Sequence, residues 1–147
     1  MKKLTFKRTA TPEKPGYNDS CIIAELAAIQ GTYECSTEPN AVRPSDGVAW
    51  NKAYGEVAPI ITTFKCIVSP KHGKCLAVNN LLPVPTTNEN SNHGGAKIAA
   101  DVEVHCGDSV THRGSAACFT IFPPLWDDFI AHFEVGEVGQ LVLVNSN

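Results

Sequence analysis

Apolar residues in this chain come in short alternating runs broken by clusters of Pro, Gly, Asn and Asp, and only one stretch carries them at helical spacing. Alternation with period two places successive side chains on opposite faces of an extended segment, so the pattern predicts a mainly β fold. Leu4, Phe6 and Arg8 form the first such run, closed by the turn formers between Pro12 and Asp19. Cys21–Leu26 and Thr32–Thr37 read as a hairpin around Gln30-Gly31. Ile60–Ser69 leads through Pro70-Lys71-His72-Gly73 into Cys75–Val78, which reads as a second hairpin. The strongest signal is Lys97–Cys106, a continuous strand with Ile98, Ala100, Val102, Val104 and Cys106 on one face and Ala99, Asp101, Glu103 and His105 on the other. Cys118–Phe122 and Leu141–Val144 are further strands. Pro39–Val57 and Pro83–Gly95 are loops by composition. The helix covers Leu125, Trp126, Phe129, Ile130 and Phe133, with Pro123-Pro124 at its first turn. The predicted architecture is a β-sandwich or flattened barrel with one helix near the C-terminus.

At 147 residues, with 43% hydrophobic and 18% charged residues, the chain has enough apolar surface for one packed domain spanning 1–147. The net charge of −3 contains no basic run, which argues against nucleic acid as a partner. No apolar stretch approaches the roughly 20 residues of a membrane span. Lys7, Arg8, Glu13 and Lys14 occupy the place of a signal-peptide core, so synthesis in the cytoplasm without secretion is expected. In that compartment the six cysteines are free thiols, most of them small buried hydrophobes.

One run carries chemistry. Val104-His105-Cys106-Gly107-Asp108-Ser109 and Gly114-Ser115-Ala116-Ala117-Cys118 place an imidazole at one strand end and a thiol at the next strand start, joined by an irregular loop. An imidazole that takes the proton of a thiol makes a nucleophile, and N–H groups around Ala116 and Ala117 can bind the oxyanion that results. Asp108 is a turn former or an orienting carboxylate. His112 is solvated or a second acid/base, and His72 and His93 are surface residues of Gly-adjacent turns. His105, His112, Asp108 and Cys118 are residue types that could also ligate the metal of an amidase, but their spacing lacks a metal-binding pair, and no cofactor is expected.

The His105-to-Cys118 run resembles the signature of the L,D-transpeptidase (YkuD-type) catalytic domain, and is closer still to its small phage-associated and type VI secretion effector relatives. Tyr33-Glu34-Cys35-Ser36-Thr37-Glu38-Pro39 resembles a strand of the phage-type domains, as do Val57–Ser69 and Lys71-His72-Gly73-Lys74. The resemblance implies a cysteine enzyme acting on peptidoglycan stem peptides. Cys118 is then the nucleophile, His105 the base and then the acid, and Ser115 a site residue that shapes the loop. It further implies action on the bacterial cell wall after delivery, or within a phage particle, with the delivery machinery and any immunity protein unspecified. Two positions depart from the family pattern. Ala117 stands where Gly precedes the nucleophile, and Thr120 stands where many transpeptidases carry Arg, leaving Arg113 as the candidate to hold a substrate carboxylate. With that arginine missing and no second acceptor lobe expected in so short a chain, hydrolysis is expected ahead of transfer. The alternative is a non-catalytic phage structural or binding module that keeps the fold.

Overall fold

The computed structural model describes residues 1–146. Eight strands close a barrel: β1 (Lys2–Arg8), β2 (Asp19–Glu25), β3 (Ala28–Ser36), β4 (Ile60–Ser69), β5 (Gly73–Val78), β8 (Glu103–Cys106), β9 (Phe119–Ile121) and β10 (Val138–Asn145). Their order around the wall is β1-β10-β4-β5-β8-β9-β3-β2. Two short strands, β6 (Val84–Pro85) and β7 (Ile98–Ala99), form a separate ribbon outside it. Most neighbours are antiparallel. The exceptions are β1 with β10 and β8 with β9.

Period-two alternation fills the lumen. Leu4 and Phe6 of β1, Leu76 and Val78 of β5, and Leu141 and Leu143 of β10 are fully or almost fully buried in one cluster. The Phe6 and Phe119 rings meet across it with centroids 4.8 Å apart. An eight-stranded barrel can be filled by its own side chains, as this one is, which directs attention to the outer wall and the ends. One end is closed by α2 (Trp126–Ile130) and the residues after it, where Phe129 packs edge-on to Tyr33 at 5.2 Å and Phe133 to Phe64 at 5.3 Å. The helix expected over Leu125–Phe133 is shorter, beginning as a 3₁₀ turn at Pro123–Leu125 and stopping at Ile130. Its apolar residues need only one turn to plug the barrel.

Mainly β character holds, and closure into a barrel replaces the sandwich alternative. Three local expectations are corrected. The first hairpin turns at Leu26-Ala27, with φ of 51° and 66°, a two-residue loop of the type whose twist matches the strands. Gly31 instead lies within β3, opposite Ile23, where the register shifts and a Cβ would come within 2.7 Å of the Tyr33 ring. Lys97–Cys106 is not continuous: Asp101 has φ of 55°, which turns the chain and splits β7 from β8. Ala99 therefore pairs with Val84 in the small ribbon and is buried in the main cluster rather than sharing a face with Glu103 and His105. The two expected loops also hold short structure, α1 (Trp50–Ala53) in the first and β6 in the second.

Candidate active site

The parallel pair β8/β9 sets Val104 beside Phe119 and His105 beside Thr120. Val104 and Phe119 point into the core, so Glu103, His105, Cys118 and Thr120 share the outer face. The Glu103 N–H donates to Cys118 Sγ at 3.3 Å, which puts the thiol level with Glu103 and diagonal to His105 on that face. His105 and Cys118 therefore lie on one face of neighbouring strands, joined in sequence by the long connection that a parallel pair requires, while the thiol itself points to the Asp101 carbonyl at 3.9 Å.

His105 is 2% exposed. Its Nδ1 lies 2.8 Å from the Cys106 carbonyl, an oxygen that can only accept, so Nδ1 carries the proton and Nε2 keeps a free lone pair. His72, in the β4–β5 turn, stacks on the ring at 3.8 Å with planes 9° apart. The His72 Nε2 lies 3.7 Å from Glu103 Oε1, an ion pair whenever that imidazole is protonated. Burial lowers the His105 pKa to about 4 against the pull of the Cys106 carbonyl, and His72 and Lys71 push it the same way as burial. The imidazole is therefore neutral at pH 7 and able to accept a proton.

Cys118 and Cys106 are the two partly exposed thiols of the six. Burial raises the Cys118 pKa to about 11. The Glu103 N–H and Lys71 oppose that rise, while the charges of Glu103 and Asp101 add to it. At neutral pH the thiol keeps its proton, so the resting site holds no thiolate–imidazolium pair.

The connection from Gly107 to Cys118 is tied down at several points. The Tyr17 hydroxyl bonds the carbonyls of Ser109 at 2.7 Å and His112 at 3.0 Å, and a Cβ at Gly107 would overlap that same hydroxyl. Ser115 Oγ donates to the Cys118 carbonyl at 2.7 Å, so it braces the backbone at Cys118 rather than facing the thiol. The Ser115 N–H and C=O both pair with Asn40. Ala117 has negative φ, so alanine in the place of glycine strains nothing there. The N–H groups of Ala116 and Ala117 have no acceptor among the described residues, which leaves them free to bind an oxyanion. Asp108 is exposed, with Oδ2 3.6 Å from His112 Nδ1.

Arg113 is 4% exposed, and its guanidinium turns away from the thiol. It donates to the Pro12 carbonyl at 2.7 Å and to Ser36 Oγ at 3.4 Å, and lies 4.0 Å from Glu38 Oε2. A substrate carboxylate would reach it only by opening this network. The same network buries a carboxyl pair. Burial and neighbouring Asp19 push Glu38 up to about 8, and its Oε1 has no partner among the described residues. Burial also works to raise Asp19, but hydrogen bonds from Glu38, the Thr9 and Thr37 N–H groups and the Thr37 hydroxyl outweigh it, and its pKa is lowered.

Sequence reasoning missed His72, Lys71 and Glu103. The first two look like ordinary turn residues, and only the β5/β8 pairing carries their turn over His105. Among the described residues no three His, Cys, Asp or Glu side chains are grouped to hold a metal ion, and His105, His112, Asp108 and Cys118 are not gathered as a ligand set. Three surface hollows, of about 560, 350 and 160 Å³, have neither Cys118 nor His105 in their walls. The smallest does touch the connection, at Thr111, His112 and Arg113. Among the described residues no helix is long and apolar enough to cross a membrane. Compared with protein-family models, curated proteins and solved structures, the chain finds no match in any of the three.

Proposed function

We propose that the chain is a cysteine hydrolase of peptidoglycan stem peptides, an L,D-carboxypeptidase or endopeptidase with an L,D-transpeptidase-like fold. The observation that carries this reading is the shared face of Cys118 and His105, with Nδ1 held by a carbonyl and Nε2 left free. The His105-to-Cys118 sequence motif supplies the substrate class.

With both groups neutral at rest, attack and proton transfer go together. Cys118 Sγ bonds the scissile carbonyl carbon as its proton passes to His105 Nε2, and the oxyanion meets the N–H groups of Ala116 and Ala117. Collapse expels the amine, which takes the proton from His105, and leaves a thioester. Water then adds to the thioester with His105 as base, releasing the acid and restoring the thiol. Water is the expected acceptor because transfer needs an amine held in position against it, and Thr120 stands where many transpeptidases carry Arg. Such an enzyme would work at the cell wall, delivered as an effector or carried by a phage.

Purified muropeptides incubated with the protein and resolved by mass should lose a terminal D-amino acid or a crosslink. Cys118→Ala should abolish the change. New crosslinks or exchanged D-amino acids as the main product would replace hydrolysis by transfer while keeping the nucleophile. A second reading, a non-catalytic phage structural or binding module, is favoured by two observations: the thiol is pushed up to about 11, and it lines none of the three hollows described above. Unchanged muropeptides would select it.

A further inference from the structure

The wall around Cys118 is electrically uneven. Asp101 and Glu103 both place negative charge on the thiol, and Glu103 is only partly offset by His72. An anionic substrate approaching this face meets repulsion unless a cation stands beside it. The buried guanidiniums are committed elsewhere: Arg113 to Pro12 and Ser36, and Arg8 to Thr37 and the Val57 carbonyl. Thr120, next to His105, offers only an uncharged hydroxyl.

Lys71 is different. Its backbone is fixed, because the N–H groups of Lys71 and His72 both donate to Ser69 Oγ, at 3.2 and 3.3 Å. The next residue is locked on the site by the His72–His105 stack. Its side chain is exposed and makes no ion pair among the described residues. Its charge bears on both Cys118 and His105. Resting on the function proposed above, we infer that Lys71 is the residue that holds an anionic group of the substrate beside Cys118, so that the site takes peptides with a free carboxylate close to the bond it opens. A lysine suits this task as a mobile point charge on a long stem, anchored at its base by the turn.

The test uses a charged and a neutral probe of the same thiol. The full-length protein is alkylated with iodoacetate or with iodoacetamide, and Cys118 modification is followed by peptide mapping. Lys71 raises both rates through the thiol, but only the anionic reagent is also drawn to its ammonium. The iodoacetate-to-iodoacetamide rate ratio at Cys118 should fall about two- to fivefold in Lys71→Gln, as expected for losing one exposed charge pair. It should fall further in Lys71→Glu, stay near the wild-type value in Lys71→Arg, and be unaffected by Lys52→Gln. Added salt should compress the wild-type ratio toward that of Lys71→Gln. A ratio that ignores Lys71 while Cys118 still reacts overturns the assignment of Lys71 and leaves the nucleophile standing. A Cys118 that reacts with neither reagent overturns the nucleophile itself, and the assignment of Lys71 with it.

Discussion

Burying a neutral histidine makes the fold sensitive to acid in a way that can be worked out from His105 alone. In the folded chain its pKa is lowered from 6.5 to about 4, chiefly because the ring is enclosed. The unfolded chain therefore binds a proton in a pH range where the folded chain does not. Stability from this group is fully present above pH 6.5 and is lost as pH falls toward 4. At about 1.4 kcal/mol per pH unit, the loss between pH 7 and pH 4 comes to about 3 kcal/mol. That is a sizeable part of the 5–15 kcal/mol that typically holds a domain together. The charges of Asp108, His72 and Lys71 also act on the ring. Comparison with His105→Gln cancels their share. Urea denaturation at pH 7, 5.5 and 4 should show the wild type losing about 3 kcal/mol more than the variant over the interval. Parallel stability curves, or an imidazole NMR titration of His105 with its midpoint near 6.5, would refute the reasoning and return His105 to solvent.

Ala27→Gly should raise stability by about 1 kcal/mol, seen as a higher thermal midpoint, because Leu26 and Ala27 both hold the left-handed conformation that costs a residue with a Cβ. Tyr17→Phe removes the hydroxyl that ties Ser109 and His112; it should cost about 1–2 kcal/mol and speed limited proteolysis within the 107–118 connection. Glu38→Gln should stabilise the chain increasingly as pH rises from 4.5 toward 8, measured by denaturation across that range, because folding holds this carboxyl protonated where the unfolded chain ionises it.

What the sequence made legible was decided by how local the signal is. Alternation in Leu4–Arg8 and Ile60–Ser69 located strands because burial on one face leaves its mark every second residue. The break at Asp101 left no mark, since Asp tolerates positive φ without announcing it as Gly would. The hairpin at Leu26-Ala27 was misplaced for the same reason: neither residue is a turn former, while nearby Gly31 is. At the site, His105 and Cys118 were readable as a pair because both flank one connection. His72 was not, because its contact with His105 exists only through pairing between β5 and β8. Arg113 was nominated for its charge and closeness to Cys118 in the chain, but the turn of the connection sends its guanidinium into the Ser36–Glu38 network instead.

The pairing that builds the site also sets its terms. A parallel β8/β9 pair cannot be joined by a tight turn, so the chain must leave the barrel and return, and the return lays Ser115 to Ala117 beside the thiol. The barrel interior is filled by its own side chains, and the proposed reacting groups sit on the outer wall, His105 under the His72 turn. Enclosure on that wall has opposite effects on the two partners. It pushes the thiol up and the imidazole down, so the proton is held by sulfur at rest. An arrangement of this kind protects Cys118 from adventitious oxidation, since thiolate character sets that rate. It also requires that charge separation be stabilised only when a carbonyl accepts the sulfur, which is the condition under which oxyanion-binding N–H groups contribute most. In the reaction proposed above, the free N–H groups of Ala116 and Ala117 would serve that same step.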